Sequence, residues 1–142
     1  MKRLPRDSLA ALTPHSILID VQQLRPVFDR PGIIVAYLFG SLAWDSMNPL
    51  SDVDLAYLGT DSERENQLYD PLYEALQRLL GEGNFDLVPL RRAPLHVQFH
   101  ITMEGTPLIV CDPIAAEGFS ASAIMRYLDF KPYRDAYFAA GE

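Results

Sequence analysis

The residues best placed for chemistry are acidic. Asp52 and Asp54 stand two apart in a stretch, Asp52 to Leu58, where Asp52, Asp54 and Ala56 alternate with Val53, Leu55 and Tyr57. That period of two puts both carboxylates on one face of a strand. Two like charges so close are costly unless a proton or a divalent cation compensates them, and oxygen ligands of this kind suit Mg²⁺. A third carboxylate, Asp86, falls early in the apolar run Phe85 to Leu90. An unpaired acid there is expensive to bury, but beside the second strand it would join the pair. Upstream is Gly40-Ser41, separated from Asp52 by ten residues. Gly40 lets the backbone turn tightly and approach a phosphate with no Cβ in the way. Ser41, at the start of a short helix, offers free N–H groups and a hydroxyl to an anionic phosphate tail.

The elements that must position these groups are legible in outline. Pro31-Gly32 introduces a β-rich apolar run, Ile33 to Phe39, which reads as a central strand ending at Gly40. Thr13-Pro14 reads as a helix start, followed by Ile17, Val21, Leu24 and Phe28 at helical spacing, with an end or bend expected near Pro26. Asp61 to Leu80 reads as mostly helical, divided at Pro71 with Asp70 capping the second part. The turn signal Gly81-Glu82-Gly83-Asn84 precedes the strand that carries Asp86. Pro94 to Glu104 reads as a short helix closed by Gly105, Leu108 to Cys111 as a fourth strand, and the remainder as one or two helices. Strands and helices mix without a regular βαβ rhythm, so the expected fold class is α+β, a small mixed sheet flanked by helices in a single domain over residues 1–142.

Composition narrows the functional classes. The chain has 142 residues, is 49% hydrophobic and carries a net charge of −7. A size and apolar fraction of this kind give one ordinary core. No apolar run approaches the roughly 20 residues a spanning helix needs, and no signal-peptide core follows the basic N-terminus, so the expectation is a cytoplasmic protein with no membrane partner. The acidity argues against a domain that grips long nucleic acid, whose backbone is bound through Lys and Arg, and suits a metal-nucleotide enzyme or a protein docking on a basic partner. The single cysteine, Cys111, excludes an intrachain disulfide and a thiolate zinc cluster, and reads as a partly buried thiol.

Leu38-Phe39-Gly40-Ser41, the ten-residue gap and Ser51-Asp52-Val53-Asp54-Leu55 resemble the signature of the polymerase-β-like nucleotidyltransferases. The chain length, Phe85-Asp86-Leu87-Val88 and the helix after Arg91-Arg92 closed by Glu104-Gly105 are similar to the minimal nucleotidyltransferases, the MntA-type antitoxins of HEPN/MNT toxin–antitoxin pairs. The resemblance covers about residues 33 to 112. It implies Mg²⁺-dependent transfer of AMP from ATP to a protein hydroxyl, a tyrosine of a cognate HEPN ribonuclease toxin. Asp52, Asp54 and Asp86 would then serve as catalytic groups and ligands of two Mg²⁺ ions, and Gly40 and Ser41 would bind the nucleotide. Many relatives carry a basic residue shortly after Gly-Ser, where this chain has Trp44-Asp45. Two other functions remain open: an antitoxin that neutralises by binding alone, and a small-molecule nucleotidyltransferase like the aminoglycoside-modifying enzymes, which the short remainder after residue 112 disfavours.

Other polar residues have plainer readings. His96 and His100 stand four apart on a helix but lack a third ligand, and read with His15 as solvent-facing or packing side chains. Arg91-Arg92 would either meet a nucleotide tail or lie in a solvated loop. Tyr127, Phe130, Tyr133, Tyr137 and Phe138 read as packing before interface.

Overall fold

A computed structural model describes residues 21–40 and 53–140, with side chains described to residue 130. The elements are helix α1 (Val21–Phe28), strands β1 (Ile33–Phe39) and β2 (Val53–Gly59), helix α2 (Ser62–Leu80), strand β3 (Phe85–Pro89), a 3₁₀ turn (Leu90–Arg92), helix α3 (Leu95–Glu104), strand β4 (Thr106–Val110) and helix α4 (Pro113–Ala140). The strands form one mixed sheet in the order β3-β2-β1-β4. β1 runs antiparallel to both β2 and β4, while β2 and β3 are parallel. The α+β expectation holds.

Alternation along the strands divides the core into two layers. Leu38, Val53, Leu55, Tyr57, Phe85 and Leu87 face α1 and α2, whose Leu24, Phe28, Leu68, Leu72 and Leu76 fill that side. Tyr37, Ala56 and Leu58 face the opposite way, against Leu90, Ile101 of α3 and Ala116 of α4. Arg25 pins α1 to the sheet through a 2.6 Å hydrogen bond from Nε to the Leu108 carbonyl.

Proline has less effect than the sequence suggests. Helix α2 is continuous through Pro71, and its cap is Asp61, whose carboxylate accepts from the Arg64 N–H at 2.7 Å. Asp70 lies mid-helix and exposed, not at a cap. Pro71 and Gln67, whose carbonyl loses its partner N–H, are both on the solvent side, where water can satisfy that carbonyl. A mid-helix proline costs about 3 kcal/mol, whereas each buried leucine contributes ~1.5–3 kcal/mol. Leu68, Leu72, Leu76 and Leu80, all buried at helical spacing across the proline, outweigh it. Helix α1 ends at fully buried Phe28, two residues after Pro26, close to where the sequence puts its end. β4 begins two residues earlier than expected and holds Pro107, tolerable because β4 is an edge strand. The chain's last helix is one element. The predicted helix start at Thr13-Pro14, with Ile17, lies outside the described residues, as does His15.

Candidate functional site: the carboxylate rim

The rim forms where β1 ends and β2 and β3 begin. In the turn before β3, the Asn84 side chain donates from Nδ2 to the Leu80 carbonyl at 2.9 Å, and the Asn84 carbonyl accepts from the Val53 N–H at 3.1 Å. That second bond locks β3 beside β2 in a register that sets Asp86 directly opposite Asp54. Neighbouring strands lie about 4.8 Å apart, and opposed residues share a face, so both carboxylates project from the α3/α4 side of the sheet. Asp54 is half-buried and Asp86 exposed. On the other flank Phe39 pairs with Asp54, and Gly40 follows at φ +84°. A Cβ at Gly40 would overlap Asp54 Oδ2 and lie 2.9 Å from its Cγ. Glycine is thus required twice, by its left-handed backbone and by the carboxylate seated against it.

Of the predicted site residues, Gly40, Asp54 and Asp86 are brought together. Ser41 and Asp52 lie outside the described residues, together with Trp44-Asp45. Among the described residues no three metal-ligating side chains converge; Asp54 and Asp86 make a pair, and the expected third ligand, Asp52, lies outside the described residues. The donor set fits Mg²⁺ in kind: two hard oxygen acids on adjacent strands, with a glycine in place of any side chain that would crowd them.

The far end of β2 holds a different carboxylate, one that sequence reasoning missed. Glu65, in the first turns of α2, is fully buried. Its Oε2 accepts from the Gly59 N–H at 3.0 Å and its Oε1 from the Arg91 N–H at 3.1 Å. Tyr57 donates its hydroxyl to the Glu65 carbonyl at 2.7 Å. Burial pushes the Glu65 carboxyl above its usual range, opposed by those two backbone donors and by the charges of Arg91 and Arg92. Burial, with Glu65 nearby, also raises the Tyr57 hydroxyl. The signal was present: Glu65 falls on the same stripe as Leu68, Leu72 and Leu76.

Arg91 is held within the fold rather than in a solvated loop. Its Nε donates to the Gly59 carbonyl at 2.9 Å and its NH2 to the Thr60 carbonyl at 3.1 Å, so it clasps the end of β2, some five residues and roughly 17 Å of strand from Asp54. Gln98, buried on α3, donates to the Leu90 carbonyl at 2.8 Å and accepts from Arg126 of α4 at 3.1 Å. Tyr127 packs, as expected, with its ring stacked 4.1 Å from that of Phe99, whereas Phe130 is exposed. The side chains of Tyr133, Tyr137 and Phe138 lie outside the description. His96 and His100 face solvent, with His100 Nδ1 3.5 Å from Glu104 Oε1. Cys111 is exposed rather than partly buried; what is held there is its backbone, whose N–H donates to the Ile34 carbonyl at 2.8 Å as β4 leaves the sheet.

The sheet carries one acid on central strand β2 and its opposite on edge strand β3, and the family model described as Polymerase beta, Nucleotidyltransferase matches residues 22–113. The chain belongs to that family. No curated protein matches it. Among solved structures, a chain in a crystal structure of a toxin–antitoxin with AMP-PNP is 24% identical, with a TM-score of 0.60, covering 96% of this chain and 98% of that one. One in the MntA–HepT toxin–antitoxin is 23% identical (TM-score 0.58, covering 84% and 94%). A rebuilt structure of the tri-AMPylated Shewanella oneidensis HEPN toxin in complex with MNT antitoxin contains another at 23% (TM-score 0.59, 84% and 93%). At these identities the likeness is one of fold. Among the described residues no helix is long and apolar enough to cross a membrane.

Proposed function

We propose that the chain is a Mg²⁺-dependent nucleotidyltransferase that moves AMP from ATP onto a tyrosine hydroxyl of a HEPN-type toxin, and so acts as an antitoxin. The observation that carries this reading is the pairing of Asp54 with Asp86 across the parallel ladder, with Gly40 seated against the first of them. Family membership supports the reaction class. The choice of AMP and of a toxin acceptor leans on the similar chains found in complexes with AMP-PNP and with an AMPylated HEPN toxin.

In this reading Asp54 and Asp86, with Asp52, would hold two Mg²⁺ ions. Bound there, the cations would polarise the acceptor hydroxyl and offset charge on the triphosphate. Gly40 and Ser41 would receive the phosphate tail through backbone N–H groups. Asp86, the more exposed acid, would orient the acceptor hydroxyl and take its proton as the oxygen bonds to the α-phosphorus and pyrophosphate leaves. Modification would add a negative phosphodiester to the acceptor, repelling RNA phosphates from a nearby cleavage site.

The test is incubation with labelled ATP, Mg²⁺ and the candidate HEPN-type protein, followed by repurification of the latter. We expect it to stay inactive and to be heavier by one or more AMP units in intact-mass spectrometry, and the Asp52→Asn/Asp54→Asn double variant to produce no shift. Recovery of full toxin activity at unchanged mass would replace catalysis with neutralisation by binding.

A further inference from the structure

Helix α4 has two faces. Ala116 and Ala123 are buried against the domain. On the opposite face Ile114, Gly118, Ala121, Met125 and Leu128 recur at spacings of four, three, four and three, all exposed. That repeat makes a straight apolar seam of the kind that takes a partner helix, about 21 Å long. Ile114 is 86% and Met125 65% exposed, and none of the described residues packs over them.

The seam is also shaped. Gly118 and Ala121 floor a depression of about 280 Å³ walled by Ile114 and Glu117. A Cβ at Gly118 would meet nothing within 4 Å, and its φ is ordinary helix. Glycine inside a helix is unfavourable relative to alanine, so the helix bears a cost there that no contact among the described residues repays. Close approach of a second backbone is the usual reason for such a glycine. The rims are acidic, with Glu117 flanking one side of the seam and Asp129 the other, on a chain of net charge −7.

We infer that this face of α4 docks a helix of the HEPN-type partner, one with a large apolar side chain seated over Gly118 and Ala121 and with Lys or Arg on both flanks. The inference rests on the proposed toxin partnership and names the surface that serves it. Charge selects this occupant over a second copy of the chain, because acidic rims are complemented by a basic-flanked helix and gain nothing from another acidic one. The seam shares no residue with the carboxylate rim, so substitutions in it leave the rim acids in place.

The experiment measures affinity for a purified candidate HEPN-type protein, by calorimetry, together with AMP transfer at saturating partner. Gly118→Leu and Met125→Glu alter exposed positions and should melt like wild type, yet bind at least tenfold more weakly. Gly118→Ala should raise the melting temperature while weakening binding, a combination that a purely structural glycine would not give. Glu117→Lys with Asp129→Lys should weaken binding at low salt and flatten its salt dependence. Binding of wild-type strength in both Gly118→Leu and Met125→Glu overturns the inference and leaves the proposed function standing. A wild-type chain that neither binds nor modifies the HEPN-type protein overturns both. If light scattering finds the isolated chain dimeric and the seam variants monomeric, the face belongs to a second copy and the inference falls.

Discussion

At the start of β2, Asp54 stands opposite another acid, with a glycine cleared to one side of it. At the end of the same strand, Glu65 is sealed from solvent and met by two backbone N–H groups, with arginine charge nearby. The second arrangement answers the carboxylate's needs from within the protein. The first sets like against like, which is destabilising in a bare sheet and is eased when a cation sits between the two acids. The lesson is that an acid's role is read from what surrounds it: enclosing donors mark a structural acid, and two acids set opposite one another at a sheet's rim mark a candidate cation site.

The comparison breaks most visibly if the rim acids are dispensable. Asp54→Asn should lower AMP transfer by at least a thousandfold, about 4 kcal/mol in the barrier, with a melting temperature equal to or above wild type; near-normal transfer in the labelled-ATP assay would remove Asp54 from the site. Glu65→Ala should do the reverse. By orphaning the Gly59 and Arg91 N–H groups it should cost about 3 kcal/mol of stability in urea denaturation, while transfer per folded molecule persists. Gly40→Ala should damage both properties, losing ~1–3 kcal/mol through the left-handed backbone and displacing the Asp54 carboxylate; a variant with unchanged melting and transfer would refute the double role of that glycine.

A subtler contrast lies in pH. Because the folded-state value of Glu65 is raised, the folded protein holds that proton more tightly than the unfolded chain does. Its ionisation therefore subtracts stability progressively as pH climbs from the ordinary glutamate value of 4.5 to the raised folded value. Glu65→Gln should flatten that part of the stability–pH curve, and an identical slope in the variant would count against the assignment. The smallest effect belongs to Asp86→Asn, which should stabilise the metal-free protein by ~0.2–1 kcal/mol through relief of like charge; destabilisation would mean that Asp86 is paired within the fold.

Much of this was legible in the sequence because strand alternation and turn chemistry are local. Ile33 to Phe39 had its bounds right, and Phe85 to Leu90 was within a residue. The placement of Asp86 beside Asp54 was available as a possibility, but its realisation depends on the Val53–Asn84 hydrogen bond, which joins residues far apart in sequence. Pro71 misled because propensity is a local quantity and the leucine burial that overrides it is tertiary. The clasp made by Arg91 was hidden because its partners, the carbonyls of Gly59 and Thr60, lie some thirty residues away in sequence. Glu65 went unnoticed since a lone glutamate on a helix is usually a surface residue.

The prolines in the two outer strands have an effect beyond the fold. Pro107 lies within β4 and Pro89 closes β3, so each border of the sheet lacks an amide at a point where an incoming strand would need one. Sheet borders are where chains template one another into fibrils. A protein bordered this way resists that route at high concentration, and overproduction of the chain alone should yield dispersed chains in preference to amyloid-like deposits.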